Sequence, residues 1–222
     1  MKNVLFDSVV FDVDSTLVSI EGLDFLADLK GKGNQIKEIT LQSMNGSLSM
    51  KEAMNIKMKI ISPDYKDLIK MGEAYLKNIT PGANETISIL KKNGIKTWIV
   101  TGNFQPAVGM LANFLKIPKS QVITNEIFFD KNNNYVNFDV LNPLSNNGGK
   151  ALIINDLKSK MGRTVFVGDG STDLETKDYV DLFIGYGGVI VRPTIEKKAK
   201  VYVKGPLTSI LYYILKECVA PK

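Results

Sequence analysis

The chain of 222 residues contains no histidine. No His base, no His–Ser pair and no His-ligated metal is therefore possible, and proton transfer falls to carboxylates, Lys or Tyr. Cysteine is almost as scarce. The single Cys218 excludes an internal disulfide and a Cys-rich zinc site, and it points to a reducing compartment, so a cytoplasmic location is expected. Any metal must be held by oxygen, which favours Mg²⁺, Ca²⁺ or Mn²⁺. No apolar run is long enough to cross a bilayer, and acids follow Met1 too soon for a signal-peptide pattern. No membrane partner is expected. Arginine clusters are missing too. The net charge is +5 and the pI about 9.1. The lysines are scattered, however, and adjoin only in pairs such as Lys91-Lys92 and Lys197-Lys198. That pattern reads as solvated helix faces rather than a nucleic-acid surface, with anionic small molecules drawn by the field.

What the chain does have is an ordinary globular composition, 44% hydrophobic and 23% charged, and one stretch that stands apart. Val9-Val10-Phe11-Asp12-Val13-Asp14-Ser15-Thr16-Leu17 is an apolar run that ends in two carboxylates and two hydroxyls. Residues 8–13 read as a buried strand whose last residues reach the carboxyl edge of a parallel sheet, where open α/β folds bind ligands. Alternate residues of an extended chain point the same way, so Asp12 and Asp14 are expected side by side, a costly pair without a cation. A calcium loop fits badly, because its sixth position would be Leu17 and its twelfth Leu23.

From about Glu21 to Leu76, apolar residues recur at helical spacing in four groups, separated by Gly31-Lys32-Gly33, Asn45-Gly46 and Ser62-Pro63. Met44, Met50, Met54 and Met58 fall on the apolar faces of this helical module. Strands and helices then alternate: strands at 95–100, 122–124, 164–167, 182–184 and 201–203, helices at about 82–90, 105–115, 150–160 and 207–217, and a β-hairpin of 127–129 with 135–138. The expected fold is α/β, a doubly wound, mostly parallel sheet with an inserted helical cap and a small hairpin. The expected boundaries are 1–17 and 80–222 for the core and 18–79 for the cap.

Four segments place polar groups after strands or at helix starts: Asp12/Asp14, Thr101-Gly102-Asn103, Asn147-Gly148-Gly149-Lys150, and Asp169 to Asp173. A hydroxyl with free backbone N–H groups ahead of a helix suits a phosphate oxygen. A lysine at a helix start adds to a dipole that already favours an anion. About four carboxylates, one lysine and a hydroxyl–amide pocket match a phosphoryl group bridged by Mg²⁺. Gly149-Lys150 lacks the rest of a P-loop, and Gly185-Tyr186-Gly187-Gly188 lacks the final glycine of a dinucleotide fingerprint.

In these motifs the chain resembles the haloacid-dehalogenase-type phosphatases. The Asp12-Val13-Asp14-Ser15-Thr16 form, the insertion after the first strand and Gly148-Gly149-Lys150 are similar to the phosphoserine phosphatase family within them. The resemblance implies a HAD-like Rossmannoid core, Mg²⁺ as cofactor and a small phosphomonoester as substrate. Asp12 would be the nucleophile and Asp14 the acid and base. Asp12, the Asp14 backbone carbonyl and Asp169 would hold the metal. Thr101, Gly102 and Lys150 would cradle the phosphoryl oxygens, and Asp173 would orient Lys150 or metal-bound water. Glu21, Met44, Lys57, Asn103, Thr172 and Arg192 fall at substrate positions. Met50 and Lys57 stand where the family has Phe and Arg, and Asn103 stands in a loop that is usually Ser-Gly-Gly. O-phospho-L-serine, on the route to L-serine, is the expected substrate, with another small phosphomonoester as the alternative. A phospho-Asp signalling receiver is the alternative of another class. A monomer or homodimer is expected.

Overall fold

The computed structural model describes residues 5–44 and 47–215, the side chains of Ser43, Met44 and Met50 lying outside what is described. Strand β1 (Ser8–Phe11) is buried along its whole length. Its two faces feed two separate cores. Val9 and Phe11 pack in the larger cluster, while Val10 joins Trp98, Val100 and Phe166 on the opposite side. A strand covered on both faces needs an unbroken apolar run, which is why Val9-Val10-Phe11 does not alternate.

The chain leaves the sheet sooner than the sequence implies. Strand β1 stops at Phe11, and Val13–Leu17 turns back with Ser15 at φ +51°, closed by Val18 N–H donating to Val13 O at 3.1 Å. The expected strand over 8–13 is thus cut short. Asp12 and Asp14 remain extended, with ψ of 168° and 138°, but the coil separates the surroundings of their carboxylates.

Four helices follow: α1 (Gly22–Leu29), α2 (Gly33–Met44), α3 (Met50–Ile61) and α4 (Tyr65–Lys77). Ser49 and Asp64 build capping boxes at the starts of α3 and α4 with Glu52 and Asp67, each a contribution of about 1 kcal/mol. Ser62, one of the separating residues, ends α3 in the left-handed region at φ +43°. Helix α4 packs closely on a later helix, because Gly72 has no side chain: a Cβ there would lie 3.2 Å from Ala107 Cα.

The α/β alternation then runs α5 (Ala83–Lys92), β2 (Lys96–Phe104), α6 (Ala107–Phe114), β3 (Val122–Asn125), the hairpin β4 (Ile127–Phe129) and β5 (Tyr135–Phe138), α7 (Gly149–Met161), β6 (Thr164–Gly168), α8 (Ser171–Leu174), β7 (Leu182–Tyr186), α9 (Pro193–Lys198), β8 (Val201–Val203) and α10 (Leu211–Ile214), the short α8 and α9 being additions to the expected elements. The main sheet has order β3-β2-β1-β6-β7-β8 with every pair parallel, and the hairpin is a separate two-stranded sheet. Two expectations need correction. Strand β2 does not end at Val100 but continues through Thr101-Gly102-Asn103 to Phe104, its pairing with β3 shifting register between Val100 and Phe104. Such a shift lets a strand bend at the sheet's edge without ending. The closing helix at 207–217 is a 3₁₀ turn over Leu207–Ile210 followed by α10, and residues from 216 onward lie outside the described part. Among the described residues no helix is long and apolar enough to cross a membrane.

Candidate active site

Strand register brings the polar segments together. Phe11 pairs with Ile99 on one side and Val167 on the other. Asp12 therefore emerges at the carboxyl edge between Thr101 and Asp169, each two residues beyond the ladder partners of Phe11, and its N–H donates to Val167 O at 3.0 Å. Helix α7 delivers Lys150 at its first turn. The Lys150 Nζ lies 2.7 Å from Asp12 Oδ1 and 2.6 Å from Asp173 Oδ1. Lys150 is 7% exposed and Asp173 fully buried. Burial works against the ammonium, but the two carboxylates outweigh it and push its pKa up. Glycine makes this approach possible: a Cβ at Gly149 would overlap the backbone of Pro143 and Leu144.

Asp14 sits apart from that ion pair. Its Oδ2 accepts from Gly22 N–H at 2.8 Å and its Oδ1 from the Tyr75 hydroxyl at 2.8 Å, and the Asn103 side chain hydrogen-bonds it too. Burial first, and Glu21 next, raise its carboxyl to about 8, with Asp12 the smallest contributor. The expected Asp12–Asp14 repulsion is thus minor, because the turn at 13–17 sends the two side chains to different partners. Burial and the charge on Asp14 hold the Tyr75 phenol well above its usual range.

Asp12, Asp169 and Asp173 form a buried cluster whose carboxylate oxygens lie within 4.8 Å of one another. All-oxygen donors at that spacing suit a hard cation. Burial and the neighbouring Asp12 charge raise Asp169 to about 6 and Asp173 to about 7, against the pull of Arg192 and Lys150. The carboxylate of Asp14 is engaged by Gly22 and Tyr75 and does not belong to this cluster.

A cavity of about 400 Å³ opens over this edge. Its lining includes Asp12, Asp14, Thr101, Gly102, Lys150 and Thr172 from the sheet side, and Glu21 and Lys57 from the helical insertion. Asn103 and Arg192 line it as well. The side chain of Met44, expected there, lies outside the described residues; Met58 is buried in the core and Met54 faces the cavity. The Asn103 N–H, expected free, donates to Thr101 Oγ1 at 3.3 Å. Arg192 donates through Nε to Asp169 Oδ2 at 2.7 Å, and its Nη2 stands 3.4 Å from Glu21 Oε1. Burial opposes the guanidinium charge but Asp169 prevails and raises its pKa. Glu21 also accepts from Ser15 Oγ at 2.7 Å; burial raises its carboxyl and Ser15 and Arg192 oppose the rise. Burial lowers the Lys57 pKa, against Asp24 and Glu21.

Sequence reasoning missed Tyr75, Asp24, Thr40 and Asn146. Asp24 and Thr40 carry no motif and reach the cavity only because α1 and α2 fold over it. Tyr75 occupies an apolar-face position of α4, where an aromatic reads as core, and it is core except for its hydroxyl.

Comparison with known proteins agrees with this geometry. The model of the haloacid dehalogenase-like hydrolases matches residues 6–176. A bovine protein named phosphoserine phosphatase is 34% identical over 199 residues, 89% of this chain and 88% of its own. A solved phosphoserine phosphatase with bound substrate superposes with TM-score 0.80 at 25% identity, over 94% of this chain and 98% of that one. A phospho-aspartyl intermediate analogue of a phosphoserine phosphatase does so at 0.79 and 26%, over 94% and 99%. By fold, by motif order and by sequence, the chain belongs to the haloacid dehalogenase-like hydrolases, among the phosphoserine phosphatases.

Proposed function

We propose that this chain hydrolyses O-phospho-L-serine through an aspartyl-phosphate, with Mg²⁺ as cofactor. The observation that carries the reading is the pair of aspartates at the end of the central strand, one held by a buried lysine and the other by Gly22 and Tyr75 beside the same cavity. Asp12 is the nucleophile: its carboxylate oxygen bonds to phosphorus as the bond to the serine oxygen breaks. The leaving alkoxide takes the Asp14 proton. Asp14, now a carboxylate, takes a proton from water as that water attacks phosphorus, releasing phosphate and restoring Asp12. A carboxyl with a pKa of about 8 is suited to be charged with a proton at neutral pH. Thr101, the Gly102 N–H and Lys150 hold the phosphoryl oxygens, and Asp173 holds Lys150. Asp12, Asp169 and the Asp14 backbone carbonyl would hold Mg²⁺, which supplies positive charge to the transferring group when bound.

In this reading residues 18–79 form a cap over a core of 1–17 and 80–222, and the cap excludes bulk water. Glu21 meets the substrate ammonium and Lys57 its carboxylate, with Met44, Asn103 and Thr172 shaping the pocket. Arg192, already paired with Asp169, is the weaker candidate for the carboxylate. The names of the bovine and other relatives support the substrate, and the single cysteine supports a cytoplasmic setting. A receiver-like switch is disfavoured by Asp14, which stands ready to hydrolyse the phospho-Asp.

The test is a turnover screen over phosphorylated amino acids, sugars, nucleotides and phosphocholine-like esters, with wild type, Asp12→Asn and Lys57→Arg. Phosphoserine is expected to be preferred and Asp12→Asn to be inactive. Lys57→Arg should raise kcat/KM by about tenfold, the worth of a bidentate over a single charged hydrogen bond. A better substrate lacking the amino or the carboxylate group sinks the phosphoserine assignment. A long-lived phospho-Asp in wild type sinks the hydrolase.

A further inference from the structure

Asp14 is held at both oxygens, from the first and the last of the four inserted helices. Gly22, whose N–H meets Oδ2, is the first residue of α1 and belongs to the inserted helices. Tyr75, whose hydroxyl meets Oδ1, stands on α4. That helix is fastened to the core: Gly72, one turn before Tyr75, lies against Ala107 of α6, and Leu68, Met71 and Tyr75 share one buried cluster with Ala107, Val108 and Leu111. The Tyr75 ring is fully buried. Its hydroxyl reaches Asp14 only because residue 22 has no side chain, since a Cβ there would overlap the Tyr75 oxygen.

We infer that Tyr75 is a positioning residue for proton transfer, a fixed donor that orients the Asp14 carboxyl toward the leaving oxygen and steadies its charge once the proton has gone. The inference rests on the reading of Asp14 as acid and base. Both contacts come from the inserted helices, and the Tyr75 contact is the one braced on α6, through Gly72 against Ala107. Asp14 therefore keeps its aim during phosphoryl transfer and during the later attack of water.

The experiment measures single-turnover phosphoryl transfer from two esters that differ in their need for a proton. Serine leaves as an alkoxide and needs one; p-nitrophenolate does not. With Tyr75→Phe, release of serine should slow by about 10–100-fold, the cost of a misaimed catalytic group, with KM unchanged. Release of p-nitrophenol in the first turnover should stay within about twofold of wild type. Equal losses on both esters, or none on either, overturn the assignment. If thermal melting shows that Tyr75→Phe is unfolded, Gly22→Ala takes its place, because the added methyl drives the hydroxyl off Asp14. It should give the same dependence on leaving group; equal losses on both esters, or none on either, overturn the assignment. A wild type inert toward every phosphoester sinks the reading of the site itself, while an active wild type indifferent to the loss of the hydroxyl sinks the role of Tyr75 alone.

Discussion

Lys150 shows how a single side chain does two jobs. A lysine at a helix start is ordinarily solvated, yet here it is buried between Asp12 and Asp173. Lys150→Ala should abolish most activity and also destabilise the cation-free protein, because two buried carboxylates lose their partner, a change worth about 3–5 kcal/mol. Added Mg²⁺ should recover most of the melting temperature and little of the activity. Recovery of both would reduce Lys150 to a structural counter-ion. Asp14→Asn separates the two half-reactions. It should still take phosphate onto Asp12 from p-nitrophenyl phosphate but release it about 10²–10⁴-fold more slowly, the usual worth of acid–base catalysis. Quenched-flow measurement of the phosphoenzyme checks this, and unchanged release would remove Asp14 from the base role.

At the scale of elements, the start of α7 is the tightest joint. The Gly149 backbone lies against Pro143 and Leu144, with no room for a Cβ, and the Gly148 N–H donates to Glu175 Oε2 at 2.6 Å. Gly149→Ala should push the first turn of α7 away from the sheet, withdraw Lys150 from Asp12 and cost about 1–3 kcal/mol, as overpacking does elsewhere. A drop in kcat larger than the stability loss accounts for, measured below the melting range, is the expected sign. A stable variant with wild-type kcat would show that the joint is slack. The same scale explains β2. The sequence reads Thr101-Gly102-Asn103 as a loop because glycine and asparagine punctuate chains, but the register shift against β3 carries the strand two residues past the glycine.

For the whole molecule, the active-site carboxyls set the response to pH. Asp14, Asp169 and Asp173 stand near 8, 6 and 7 in the folded chain, against 3.8 for a free aspartate. Between about pH 4 and 8 the folded protein thus holds more protons than the unfolded one, and stability falls as pH rises through that window. The raised pKa of Lys150 keeps its contribution intact throughout. The melting temperature of the cation-free protein should therefore fall from about pH 5 to pH 8, and Mg²⁺ should flatten the fall by binding the deprotonated folded site. A melting temperature that is level or rises with pH in the absence of cation contradicts the shifts.

Some of this is written in the chain itself. The absence of histidine and the lone cysteine limit proton transfer and metal binding to oxygen and amine groups. The unbroken run Val9-Val10-Phe11 demands a strand covered on both faces, and acids, hydroxyls and a lysine set straight after strands or at helix starts meet at one edge in any parallel sheet. Local pattern carries that much because period and punctuation are properties of neighbours in sequence. The partners of Asp14 are not of that kind. Tyr75 lies 61 residues away, on a helix whose apolar spacing conceals the one polar atom that matters. The commitment of Arg192 to Asp169 and the burial that lifts Asp14 to about 8 likewise exist only once α1 and α4 lie over the sheet. Desolvation and long-range hydrogen bonds depend on the distance between segments in space, and no spacing along the chain encodes that distance.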